Sequence, residues 1–184
     1  MLDLLNKVER TMARIDRMVG PDTLPELTPV VENVGKIWKP QEKQQQLLEL
    51  CGLDEAVFGG PVKPAVTELI GYGGAAFGGK TEGLVAIGMT ACKMIPGVQV
   101  GYFRRTFSEL EGADGPIIRS QDLYTQLGAR YIDGKHYWKD WGNGARMFFC
   151  HCQHEKDVFR YQSQAFDILL IDEATHFSWF IIDY

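Results

Sequence analysis

Gly74, Gly79, Lys80 and Thr81 stand in the spacing G-x-x-x-x-G-K-[ST] within GYGGAAFGGKTEGL. That spacing is the pattern of a loop that cradles phosphate. Such a loop needs glycines because its backbone must approach phosphate oxygens closely and adopt dihedrals that side chains forbid. A helix opening at Lys80-Thr81 would add unsatisfied N–H groups and the positive end of its dipole. On this reading Gly74, Ala75, Ala76, Phe77, Gly78 and Gly79 wrap the phosphates of a nucleotide. Lys80 reaches the β- and γ-phosphates, and the Thr81 hydroxyl binds Mg²⁺. The alternative is a glycine-rich turn before a helix.

A second pair of residues belongs to the same chemistry. ILLIDE places Asp172 and Glu173 directly after four apolar residues, the form of a buried parallel strand that ends in two carboxylates. Ligands of open α/β sheets bind at the carboxyl ends of strands. Asp172 is suited there to hold Mg²⁺ through water, and Glu173 to orient and deprotonate an attacking water. A solvated Asp-Glu turn is the alternative. Gln44, downstream of Trp38 and Pro40, has an amide that can both donate to and accept from the edge of adenine; a solvated helical glutamine is the other reading. Arg104 and Arg105 end a β-prone run, where a guanidinium can meet a phosphate as a sensor or a neighbouring carboxylate as a structural ion pair. The run FFCHCQHE carries Cys150, His151, Cys152 and His154. It lacks the second Cys/His pair of a zinc site, so a strand is the better reading.

The elements that must position these groups are legible in outline. Apolar residues at helical spacing predict an amphipathic helix over about the first 20 residues, followed by the Pro-rich linker PDTLPELTPV. A helix restarts after Pro40, with its Gln run as a solvated face. From Val62 the pattern alternates: AVTELIGYGG is a strand into the glycine loop, KTEGLVAIGMTACKM a helix, VQVGYFRR a strand, and SELEG to YTQLG mostly helical. Asp-Gly and Asn-Gly between β-prone runs predict hairpins over ARYIDGKHYWKDWGNGARMFFCHCQ. FDILLIDEATHF supplies a strand buried on both faces.

The 184 residues suffice for one domain with a real core. A hydrophobic share of 45% and a charged share of 23% describe an ordinary globular chain. A net charge of −5 exerts no global pull on nucleic acid or anionic membrane. No membrane span and no secretory leader are expected, which points to the cytosol.

With these residues in place, the chain resembles the ATPase domain of bacteriophage terminase large subunits, the motor that packages viral DNA into proheads. The matching segments are KPQEKQ, YGGAAFGGKTEGLV, FRRTFSELEG, IIRS, HEKDVFRYQSQ and FDILLIDEATHF; together they run from about residue 38 to the end. The resemblance implies an α/β P-loop NTPase of the additional-strand-catalytic-glutamate type, with a mostly parallel sheet flanked by helices. Residues 1–36 would be an N-terminal helix and linker, and 37–184 a partial ATPase domain, incomplete at its C-terminus. Gly74 to Thr81 become the Walker A loop, Asp172-Glu173 the Walker B pair, and Gln44 an adenine contact, with ATP and Mg²⁺ as cofactors. The implied partners are the portal protein, the small terminase subunit, double-stranded DNA and further copies in a ring, in the host cytoplasm.

Two departures from the family matter. Many members carry Arg or Lys inside the Walker A loop where Ala75-Ala76-Phe77 stand here, which leaves the transition-state arginine unassigned between Arg104 and Arg105. The family also continues into a coupling motif and a nuclease domain that eleven residues after Glu173 cannot hold. A truncated chain that supplies nucleotide-binding groups without a nuclease is therefore expected, with marginal stability or a partner covering the exposed layer. A superfamily 2 helicase-like ATPase and a hydrolysis-incompetent nucleotide-binding fragment are the competing readings.

Overall fold

The computed structural model describes residues 33–73 and 79–183. The N-terminal helix and linker, and Gly74 to Gly78 of the glycine loop, lie outside the described residues. What is described is an α/β fold around a five-stranded sheet: β1 (Gln99–Arg104), β2 (Arg130–Ile132), β3 (Tyr137–Lys139), β4 (Arg146–His151) and β5 (Ile168–Ile171). Their order across the sheet is β2-β3-β4-β1-β5.

The sheet is mixed, which corrects the expectation of a mostly parallel one. β1 pairs in parallel with β4 and β5, whereas β2 with β3 and β3 with β4 are antiparallel. The reason lies in the connections. Short turns through Asp133–Lys135 and through the positive-φ Gly142 and Gly144 force hairpins. The longer connection from β4, through residues 152–167, brings β5 in parallel beside β1. Cys150 and His151 of the Cys-His-Cys run are strand, as expected: they end β4, and the Cys152 N–H just beyond it donates to the Arg104 carbonyl at 3.2 Å.

Among the described residues five α-helices accompany the sheet: α1 (Glu42–Leu50), α2 (Lys80–Met94), α3 (Phe107–Glu111), α4 (Pro116–Tyr124) and α5 (Trp179–Asp183). α2 is apolar on most of its circumference, and nine of its residues from Gly83 to Cys92 are buried, as befits a helix packed on several sides. It lies on one sheet face, where Gly88 permits close approach. A Cβ there would stand 2.6 Å from Met147 Sδ and 3.3 Å from Leu170 Cδ1. Tyr124 of α4 donates its hydroxyl to the Val85 carbonyl at 2.6 Å and fixes α4 against α2. The main core gathers around α2 and includes Val85, Met89, Tyr102, Tyr124, Trp138 and Met147.

Two expected features are absent. Over its described residues, 65–73, AVTELIGYGG forms no strand: residues 61–73 are irregular, and Val66 and Leu69 are each 72% exposed. A strand is stabilised by its paired neighbour; here Lys63 and Val66 donate their N–H groups instead to carbonyls of Gly52 and Leu50. β5 is also not buried on both faces. Among the described residues it is an edge strand, whose Leu170 is buried while Leu169 is 54% exposed.

Candidate functional site

The parallel register of β1 and β5 brings the predicted groups together. Tyr102 lies opposite Leu170 and Phe103 opposite Ile171, so Arg104 and Asp172 end their strands side by side. Because side chains alternate across a sheet, Tyr102, Arg104 and Asp172 share the face on which α2 packs. The N-terminus of α2 arrives at the same place. Thr81 Oγ donates to Asp172 Oδ2 at 3.0 Å across 91 residues of sequence.

Asp172 is the centre of this cluster, with its side chain only 3% exposed. Besides Thr81, its Oδ2 accepts from Tyr102 OH at 2.7 Å and from Arg104 Nε and Nη2 at 2.9 and 2.7 Å. Its Oδ1 accepts from the Glu173 backbone N–H at 3.0 Å. Arg104 also gives Nη2 to Thr81 Oγ at 3.1 Å and Nη1 to the Glu109 carbonyl at 3.0 Å. Burial opposes the Arg104 charge, but Asp172 beside it outweighs burial and holds the guanidinium pKa above its ordinary value. Burial, then the Asp172 charge, pushes the Tyr102 phenol well above its usual range. Tyr102 therefore acts as a neutral donor.

Glu173 follows with its side chain exposed and its backbone at φ 53°, ψ 47°. This left-handed conformation is uncommon outside glycine and tends to gather at functional sites. It turns the chain sharply at the end of β5, so the two adjacent carboxylates occupy different environments, one buried and one open. Arg105 points away from Asp172 and donates to the His176 carbonyl. Of the two arginines, only Arg104 is brought to the cluster.

Gly79 caps α2 at φ 66°, a conformation glycine adopts without steric cost. Lys80 opens the helix and is half-buried. Gln44 is 2% exposed, which overturns the solvated-face reading at that position. Its Nε2 donates to the Gly79 carbonyl at 2.9 Å, and its Oε1 accepts from the Gln41 N–H at 2.8 Å. It thus both caps α1 and ties that helix to the end of the glycine loop. Trp38 makes a parallel tie, donating Nε1 to Glu82 Oε1 at 2.7 Å.

Sequence reasoning missed Tyr102 and the Trp38–Glu82 bond. Strand alternation held a signal for the first, since Tyr102 lies two residues before Arg104; nothing in the spacing signalled the second. The cysteines stand apart from this cluster. Burial pushes the Cys51 and Cys152 thiols up to about 11 and Cys150 to about 12, which leaves them protonated at neutral pH. Among the described residues no helix is long and apolar enough to cross a membrane. No protein-family model matches the chain, and no similar curated protein or solved structure is found.

Proposed function

We propose that the chain is an ATP-binding and ATP-hydrolysing motor domain of the P-loop type, of the kind with which phage terminase large subunits drive viral DNA into the prohead. The observation that carries this reading is the 3.0 Å approach of Thr81 Oγ to Asp172 Oδ2, at the start of α2 and the end of β5. A hydroxyl and a carboxylate at that distance are hard oxygen donors suited to Mg²⁺. Thr81 and Asp172 would hold the metal, which when bound would supply positive charge against the β- and γ-phosphates. Lys80, on the first turn of α2, binds the same phosphates, and the N–H groups of that turn add donors. Glu173, exposed beside the buried Asp172, orients the attacking water and accepts its proton. By resemblance the partners are portal protein, small terminase subunit, double-stranded DNA and further copies of the chain in a ring.

The deciding experiment is Mg²⁺-ATP binding and turnover by the full chain beside Lys80→Ala and Glu173→Ala. Lys80→Ala is expected to abolish binding and turnover together. Glu173→Ala is expected to bind ATP and to lose about 10²- to 10⁴-fold in turnover, the range for a general base. Lys80-dependent binding without turnover in the unmodified chain would narrow the function to nucleotide binding. Absence of Lys80-dependent binding would overturn the reading.

A further inference from the structure

The Arg104–Asp172 contact is not the fork-to-fork pairing that a structural ion pair favours. In that geometry two guanidinium N–H groups meet the two carboxylate oxygens. Here Nε and Nη2 both reach Oδ2, at 2.9 and 2.7 Å, while Oδ1 takes the Glu173 N–H. With Thr81 and Tyr102 added, four donors converge on Oδ2, more than the roughly two lone pairs of one oxygen can serve well. Nη2 also spans to Thr81 Oγ at 3.1 Å, so one guanidinium engages both oxygens that the proposed function assigns to Mg²⁺.

Resting on that reading, we propose that Arg104 is an internal cation that competes with Mg²⁺ for Asp172 and Thr81: a latch that discourages bare divalent metal and yields when metal arrives with nucleotide. A carboxylate buried to 3% exposure needs a positive partner. Two cations on one oxygen repel, so guanidinium and metal exclude each other there. Arg104 has an anchor that does not depend on Asp172. Its side chain is 15% exposed, more open than Asp172, and its Nη1 donates to the Glu109 carbonyl at 3.0 Å. The phosphates of a bound nucleotide offer the displaced guanidinium new anionic acceptors. Metal and nucleotide then bind with positive coupling, since each favours the arrangement that the other needs.

The test is Mn²⁺ binding without nucleotide, followed by electron paramagnetic resonance on the full chain and on Arg104→Gln, which removes the charge but keeps a donor for Asp172. The expected result is at least about tenfold tighter Mn²⁺ binding by Arg104→Gln, within the usual range of such couplings, and loss of that binding on adding Asp172→Asn. Equal or weaker Mn²⁺ binding by a folded Arg104→Gln would overturn the latch. A second measurement needs no folded variant: Mg²⁺-ATP added to the ¹⁵N-labelled natural chain should shift the Arg104 Nε–H resonance out of its Asp172-bonded position. A resonance unmoved at saturation would overturn the latch while Lys80-dependent ATP binding left the proposed function standing. Absence of Lys80-dependent Mg²⁺-ATP binding would overturn both.

Discussion

At the scale of single residues, the site depends on backbone conformations as much as on charges. Gly79 caps α2 at φ 66°, and a Cβ there would lie 2.8 Å from Gln44 Nε2. Gly79→Ala is expected to cost about 1–2 kcal/mol in urea denaturation, the usual penalty for a side chain in the left-handed region. On the proposed function it should also weaken ATP binding, because Gln44 holds the Gly79 carbonyl in place. Glu173 carries the opposite choice, a charged residue where glycine would be relaxed. Such strain persists only where the surroundings over-determine it. Here the Glu173 N–H bond to Asp172 and the His176 N–H bond to the Glu173 carbonyl, at 2.8 Å, hold it on both sides.

At the scale of elements, α2 and its sheet face decide whether Thr81 reaches Asp172. Gly88 sets the closeness of that packing. Met147, the side chain that would have to give way, is already engaged by Tyr124 OH at 3.0 Å. Gly88→Val is expected to destabilise by about 1–3 kcal/mol, the range for overpacking, and to lower Mg²⁺-ATP affinity by lifting the helix from β5. Denaturation and binding measured on the same preparation check this. A loss of stability with unchanged affinity would show that the α2 N-terminus is held independently, through Gln44 and Trp38. The segment before the loop illustrates the limit of element prediction. AVTELIGYGG has strand-forming residues, yet local propensity for strand is mostly a fit to a paired, half-buried surface, and that segment is not paired here.

At the scale of the whole molecule, the two sheet faces differ. α2 and α4 cover one. On the other, an open apolar cavity of about 470 Å³ is lined by Phe103, Cys152, Tyr161, Phe166 and Leu169. β5 leaves its outer edge unpaired among the described residues, beside the exposed Leu169. Unpaired apolar edges promote association. Leu169→Lys is expected to change stability by no more than about 0.5 kcal/mol, as exposed positions usually do, and to reduce self-association in sedimentation velocity. The buried phenols give a separate global prediction. Tyr102 and Tyr124 are pushed well above the ordinary range by burial, and Tyr131 up to about 12. Unfolded tyrosines release their protons near pH 10, so above that pH the folded state binds more protons than the unfolded one. Stability should hold below about pH 10 and fall as pH rises beyond it. Absorbance at 295 nm should show Tyr102 and Tyr124 ionising only with unfolding.

The sequence by itself determined what is written locally: the helix over Lys80–Met94, the strands β1, β4 and β5 and the hairpin turns. Periodicity, turn residues and spacing act over a few positions, so they survive without knowledge of the fold. Tertiary structure alone decided what depends on a distant neighbour. It made the sheet mixed, left residues 61–73 without a strand, put β5 at an edge and buried Gln44 against Gly79. It also chose Arg104 over Arg105, through a parallel register that sets Arg104 beside Asp172. Two adjacent arginines are equivalent in composition; only the pairing of their strand decides which face each one meets.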